Sequence, residues 1–84
     1  MNYNPELLYR ITAEIEGFKT YHSDWSEYDE DDFYDMVEYV DRFTHGMGVG
    51  SFQLVIKNKS ITYIPSAMLA RTILSIDSVG INND

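Results

Sequence analysis

The apolar residues near the N-terminus recur at intervals of three and four positions, which is the spacing of one helix face. This stripe consists of Leu8, Ile11, Ile15 and Phe18. Asn4 and Pro5 precede it, and Asn as the N-cap followed by Pro at the first helical position is a common helix start. We therefore predict a first helix that begins at Asn4 and that Gly17 ends or weakens.

A second helical pattern runs from about Glu30 to Thr44. Ser26 or Asp29 would cap its start, and acidic residues in the first turn suit the helix dipole. Gly46 would stop the helix at its other end. The predicted inner face comprises Phe33, Val37, Val40 and Thr44, with Met36 and Phe43 beside them.

Two short runs, residues 52–56 and 61–64, predict a β-hairpin. A loop of either two or four residues gives the same register, which pairs Ile56 with Ile61 and Leu54 with Tyr63. Side chains alternate along a strand, so the core-facing side of the hairpin would hold Phe52, Leu54, Ile56, Ile61 and Tyr63.

A third helix follows Pro65, with Ser66 as its cap. Its apolar stripe would be Leu69, Ile73 and Ile76, widened by Ala70 and Leu74. Residues 78–84 would be a frayed, flexible tail or a short extra strand. The predicted fold is a single α+β domain over residues 1–84, in the order helix, helix, strand, strand, helix, with the hairpin packed against the helices. A two-stranded sheet with open edges is marginally stable, so helices over one face or a homodimer through an edge would support it.

The charge distribution points towards binding. The 84 residues include 14 acids and 6 bases, for a formal net charge of −8. Nine of the acids lie in residues 24–41, here called the acidic segment, which contains neither Lys nor Arg: Asp24, Glu27, Asp29, Glu30, Asp31, Asp32, Asp35, Glu38 and Asp41. Such a segment repels free nucleic acid and anionic membranes, and it attracts basic protein surfaces or cations.

The composition also limits compartment and chemistry. The apolar runs are too short for a membrane span, and the first residues lack the features of a signal peptide. A chain of this size without cysteine is expected in the cytoplasm, and zinc sites of the cysteine type are excluded. The acidic segment does not fit an EF-hand loop, which leaves only weak divalent binding. His22 and His45 are too far apart for a zinc motif.

The acidic segment is either a solubilising face or a binding surface. Acids three and four positions apart repel each other, and no interspersed Lys relieves them. Aromatic residues are interleaved with them, and Tyr28, Tyr34 and Tyr39 flank the acidic helix face, where interface anchors are typical. The predicted partner-binding residues are Glu27, Tyr28, Asp29, Glu30, Asp31, Asp32, Tyr34, Asp35, Glu38, Tyr39 and Asp41.

Spacing suggests what such a surface would imitate. Carboxylates three or four residues apart on a helix are about 4.5–6 Å apart along its axis, and successive phosphates of a DNA strand advance about 3.4 Å along the duplex axis. A line of acids on a helix could therefore occupy Lys and Arg sites that normally hold phosphates.

Residues 25–36, Trp-Ser-Glu-Tyr-Asp-Glu-Asp-Asp-Phe-Tyr-Asp-Met, resemble an acidic aromatic stretch of small phage-encoded anti-CRISPR inhibitors, and by class the chain resembles anti-restriction DNA mimics. In the anti-CRISPR protein this stretch follows a three-stranded sheet, whereas here it precedes the hairpin. The matching acids are Glu27, Asp29, Glu30, Asp31, Asp32 and Asp35.

The resemblance implies a non-enzymatic inhibitor, without a cofactor, that binds the basic nucleic-acid-binding surface of a host defence complex in the host cytoplasm. The alternative is an adaptor or immunity-type protein that binds a basic partner without mimicry. A third reading is a dimeric structural protein whose acids only solubilise it.

Overall fold

Two nine-residue strands, one near each end of the chain, pair with each other and form the centre of the fold. The computed structural model describes residues 2–56 and 60–81. The elements are β1 (Leu7–Ile15), β2 (Thr20–His22), α1 (Glu30–Thr44), β3 (Phe52–Ile56), β4 (Ser60–Ile64), α2 (Ser66–Leu69) and β5 (Thr72–Gly80). They form a three-stranded sheet in the order β2, β1, β5 and a separate hairpin of β3 and β4, and all pairs are antiparallel.

The first predicted helix is wrong, because residues 7–15 form β1. The segment fits the strand period of two as well as the helix period, and its inward side chains are Tyr9, Ile11, Ala13 and Ile15, all buried. Pairing with nine residues of β5, a strand distant in the sequence, favours the extended form. Phe18, which the helix would have buried, is 68% exposed.

Asn4 and Pro5 begin a turn instead of a helix. The Asn4 side chain accepts a hydrogen bond from the amide of Glu6 at 2.9 Å, and the amide of Leu7 donates to the Asn4 carbonyl at 3.2 Å. Asn followed by Pro suits the start of a turn as well as the start of a helix. Gly17 has a φ of 71° and lies in the tight connection between β1 and β2.

The third predicted helix is also wrong beyond its first turn. The helix α2 comprises only Ser66–Leu69, and β5 begins at Thr72. Leu74 and Ile76 pack against the core opposite Ala13 and Ile11, while Ile73 faces the other side and is 67% exposed. The segment 78–84 was predicted as a tail or short strand. Its first three residues complete β5, and residues 82–84 lie outside the described residues.

The second predicted helix is confirmed as α1. Asp29 is the N-cap, and its side chain accepts a hydrogen bond from the amide of Asp32 at 2.8 Å. At the other end, Gly46 has a φ of 72° and its amide donates to Phe43, while the amide of Met47 donates to Arg42. These two bonds form a Schellman motif, which requires a left-handed residue where the glycine lies.

The hairpin exists as predicted, but the predicted register is wrong. Val55 pairs with Ile61 and Leu54 with Thr62, since Ile56 pairs with Ser60 across three intervening residues. A one-residue slip moves every side chain of one strand to the other face. Consequently Ile61 and Tyr63 are about half exposed, and Ile64 is buried.

One hydrophobic cluster joins these elements. It contains the inward side chains of β1, three residues of α1 and three of the hairpin, namely Tyr9, Ile11, Ala13, Ile15, Phe33, Met36, Val40, Phe52, Leu54 and Ile64. The predicted order of helix, helix, strand, strand, helix is therefore corrected to a mostly β fold with one long helix.

The outer face of the three-stranded sheet carries a chain of polar contacts. Asp77 Oδ2 accepts a hydrogen bond from Thr12 Oγ1 at 2.5 Å and one from Arg10 Nε at 3.0 Å. Thr12 Oγ1 also contacts His22 Nδ1 at 2.8 Å. These hydrogen bonds, that of Thr12 foremost, lower the pKa of Asp77 below its ordinary value of 3.8, against the opposing effect of partial burial.

Replacement of Ala13 tests the strand assignment. Ala13 is fully buried in β1, although it would lie on the solvent side of the predicted helix. We expect Ala13→Asp to cost about 3 to 5 kcal/mol of unfolding free energy, because it buries a charge without a partner. The control, Glu14→Ala, changes an exposed neighbour and should cost under about 0.5 kcal/mol. Urea unfolding followed by circular dichroism measures both, and equal midpoints would contradict the strand.

Replacement of Asp77 tests the chain of polar contacts on the outer face of the sheet. Because the folded pKa is lowered, the carboxylate stabilises the fold above the ordinary value, and this contribution disappears as pH falls through the lowered value. We expect Asp77→Asn to reduce stability at pH 7 by about 1 kcal/mol, a modest effect because the side chain is 35% exposed. The difference between wild type and variant should close at acidic pH in thermal unfolding scans, whereas a constant difference would refute the ionic contribution.

Candidate partner-binding surface

The acids of α1 cover its solvent side as a broad band. At about 100° per residue, they span about 200° of the helix circumference. All six are exposed: Glu30, Asp31, Asp32, Asp35, Glu38 and Asp41. The band divides into residues that face a groove beside the helix and residues that face outward.

The groove lies between α1, the segment 23–28 and β3, and its volume is about 550 Å³. Four carboxylates line it, those of Asp24, Glu27, Asp32 and Asp35. The rest of its lining is aromatic and apolar, from Tyr28, Tyr39, Ile11, Met36 and Val55, or uncharged and polar, from Ser23, Ser26 and Gln53. We call this site the acidic groove. It combines negative charge with apolar surface, as a site for long cationic side chains would.

Backbone hydrogen bonds to β1 hold the outer wall of the groove. The amide of Ser23 donates to the carbonyl of Ile11 at 2.9 Å, and the amide of Ile11 donates to Ser23 Oγ at 2.8 Å. Ser26 exchanges two hydrogen bonds of 3.0 Å with Tyr9. Asp24 and Glu27 each follow one of these anchored serines, so both carboxylates are carried by fixed backbone.

Three acids of the segment have local partners. Asp29 caps α1, Glu38 forms an ion pair of 3.0 Å with Arg42, and Asp41 lies 3.2 Å from His45 Nδ1. No described ion pair involves the other six, which are Asp24, Glu27, Glu30, Asp31, Asp32 and Asp35. The acids that have no ion pair among the described residues are therefore concentrated around the first turn of α1 and the groove beside it.

Apart from Arg42, the described Lys and Arg side chains form no ion pair with an acid of the segment. Arg10, Lys19 and Arg71 contact, respectively, Asp77, the ring of Tyr21 and the carbonyl of Glu16. The guanidinium of Arg10 also lies 4.3 Å from the ring centroid of Trp25, which is 39% exposed. Lys57 and Lys59 lie outside the described residues.

The three tyrosines predicted as interface anchors differ in how far they are packed against the rest of the fold. Tyr39 stacks on Phe52 at 4.9 Å, and its hydroxyl accepts a hydrogen bond from the amide of Gln53 at 2.9 Å, so it joins α1 to β3. Tyr28 is half-buried, with its ring edge-on to Tyr9. Tyr34 is 45% exposed, and its ring is the one most available to a partner.

Burial and the Asp32 carboxylate raise the pKa of Tyr28, burial being the larger cause. The Tyr28 hydroxyl thus stays protonated to higher pH than an ordinary tyrosine. A neutral phenol at the wall of the acidic groove can accept or donate a hydrogen bond without adding to the negative charge.

The sequence did not point to the apolar half of the groove. Ile11 and Val55 reach it from β1 and β3, and their approach depends on contacts between distant segments. Asp24 was recognised as part of the acidic segment but was not among the predicted binding residues. The hydrogen bonds that hold the preceding residue, Ser23, against Ile11 of β1 became apparent only in the structure.

Among the described residues, no three His, Asp or Glu side chains are grouped as ligands for a metal ion. Within the same residues, no helix has the length and apolar character needed to cross a membrane.

Comparison with known proteins finds no matching family model, no matching curated protein and no matching solved structure. The assignment of a function therefore depends on the chemistry of the surface itself.

Removal of single hydroxyls tests the different roles of the tyrosines. We expect Tyr39→Phe to cost about 0.5–1 kcal/mol of unfolding free energy, because the amide of Gln53 loses its acceptor while the ring remains. Tyr34→Phe is the matched control and should be nearly neutral, since its hydroxyl accepts a long bond of 3.4 Å from the amide of Tyr3 and makes no other hydrogen bond with the described residues. Thermal unfolding of both variants measures the difference, and the reverse order would assign the structural role to Tyr34.

Proposed function

We propose that this chain is a non-enzymatic inhibitor that binds the basic nucleic-acid-binding surface of a host defence protein, a CRISPR effector or a restriction enzyme. It would do so in the cytoplasm by presenting carboxylates where the target normally holds phosphates. The observation that carries the proposal is the group of six acids around the start of α1 that form no ion pair with any described residue.

The charge of this surface gives it a physical advantage in finding such a target. Clustered charge of one sign steers an oppositely charged partner and raises association rates, and the effect falls steeply with salt. The carboxylates of Asp31, Asp32 and Asp35 lie on adjoining turns of one helix, where Lys and Arg side chains of a phosphate-binding groove could meet them.

The acidic groove supports a second candidate function. Its apolar walls, formed by Ile11, Met36 and Val55, have no counterpart in a phosphate backbone. They suit the aliphatic stems of Lys or Arg, with the charged ends among the carboxylates. This observation favours an adaptor or immunity-type protein that holds a basic peptide of its partner without imitating nucleic acid.

Neutralisation of three acids tests the proposal. The variant Asp31→Asn, Asp32→Asn, Asp35→Asn removes three negative charges from the band without changing side-chain size. We expect it to weaken inhibition of DNA binding by purified CRISPR effectors and restriction enzymes about tenfold or more, because the surface that replaces phosphates has lost three of the six acids that pair with no described cation. Gel-shift titrations with a short target duplex measure the inhibition.

The matched control removes the same number of charges elsewhere. Glu6→Gln, Glu14→Gln, Glu16→Gln neutralises three exposed acids outside the segment and should leave inhibition unchanged. Raising NaCl from about 0.1 to about 0.5 M should weaken the wild-type complex strongly. Equal inhibition by both triple variants, or salt-independent binding, would refute charge mimicry. A complex that duplex DNA does not displace would favour the adaptor.

A further inference from the structure

The strand β5 forms one edge of the three-stranded sheet and is long for an edge. The amide of Glu16 donates to the Arg71 carbonyl, and the amide of Ile81 donates to Glu6, so the odd-numbered residues of β5 bond to β1. Backbone groups alternate between the two sides of a strand. The even-numbered residues therefore direct their N–H and C=O groups towards the free edge: Thr72, Leu74, Ile76, Ser78 and Gly80.

The two edges of the β1–β5 pair differ in protection. On the β1 side, β2 and the anchored serines Ser23 and Ser26 occupy the backbone groups. On the β5 side, no strand within residues 2–56 and 60–81 forms a pair. Natural edge strands usually carry a Lys, a Pro or a bulge that prevents further pairing. The β5 sequence has no Lys or Pro, its register with β1 is unbroken, and its single charge, Asp77, is bonded to Thr12 and Arg10.

The residues of β5 suit pairing with a second β5. If a two-fold axis passes through Ile76, all nine residues pair, and Ile73 lies opposite Val79 of the second copy. Ser75 then lies opposite Asp77, as a hydroxyl opposite a carboxylate. A shift of two residues one way places Ile73 against Asp77 of the second copy. The same shift the other way places the two Asp77 carboxylates opposite each other, which is unfavourable.

We propose that a second copy of this chain pairs with β5 in this antiparallel register, so that two three-stranded sheets join into one of six strands. The five even-numbered residues of each strand would supply about ten backbone hydrogen bonds. The exposed Ile73, on the outer face, would be covered by Val79 of the second copy. This inference does not depend on the proposed function.

The arrangement has a geometric consequence for α1. A two-fold axis between antiparallel edge strands stands perpendicular to the sheet, so both copies of α1 lie on the same side of the joined sheet. The two acidic bands would then face one direction. The dimer would present them as a paired surface.

Cysteine pairs test the register directly, because the natural chain has no cysteine. Ile73→Cys and Val79→Cys proteins are mixed and oxidised. In the proposed register these positions form a non-hydrogen-bonded pair about 4.5 Å apart at Cα, a distance that a disulfide spans. We expect the mixed disulfide to exceed both homodisulfides severalfold. The control mixture uses Phe18→Cys, which is 68% exposed, with Val79→Cys, and should show no such preference.

A proline at the free edge tests the interface without cross-linking. Ser78→Pro removes an amide that points away from β1, so it should abolish dimers while retaining the wild-type circular dichroism spectrum. Ser78→Ala is the control and should remain dimeric in sedimentation velocity. A wild-type monomer up to millimolar concentration, or equal amounts of mixed and homodisulfides, would overturn the proposal. Dimers that persist in a folded Ser78→Pro variant would overturn it as well.

Discussion

The antiparallel pairing of β1 with β5 is the interaction on which the other elements depend. It aligns nine residue pairs and places Ile11 beside Ile76 and Ala13 beside Leu74 on one face. The helix α1 and the hairpin pack against that face, and residues of β1, α1 and the hairpin form one buried cluster. Without the pairing, the inward side of β1 would have no flat apolar surface to offer the helix.

The parts of the fold that could be predicted from the sequence are those decided by neighbouring residues. The ends of α1 follow from Asp29 and Gly46, whose effects reach only a few positions. The failures involve distant partners. Residues 7–15 fit both a helix period and a strand period, and β5, more than 55 positions away, decides between them. The hairpin register failed because three residues, an odd number, separate its paired ends.

The same distinction applies to the candidate surface. The acids of α1 could be predicted as a solvent-facing group, since charge and helix period are both local. The groove could not, because Ile11 and Val55 come from separate sheets. Tyr39 shows a further difficulty. Its amphipathic ring beside acids is typical of an interface, yet its contacts with Phe52 and Gln53 give it a place in the packing between helix and hairpin.

The long separation between β1 and β5 also affects how the chain folds during synthesis. The amide of Ile81 donates a hydrogen bond to the carbonyl of Glu6, so β1 and β5 can pair fully only after the residues of β5 have left the ribosome. Until then the apolar side of β1 is not covered by β5, although the local sequence already favours formation of α1 and the hairpin. Nascent chains of this topology expose aggregation-prone surface until β5 emerges, and the strong negative charge of the middle segment would repel neighbouring ribosome-bound chains during that interval.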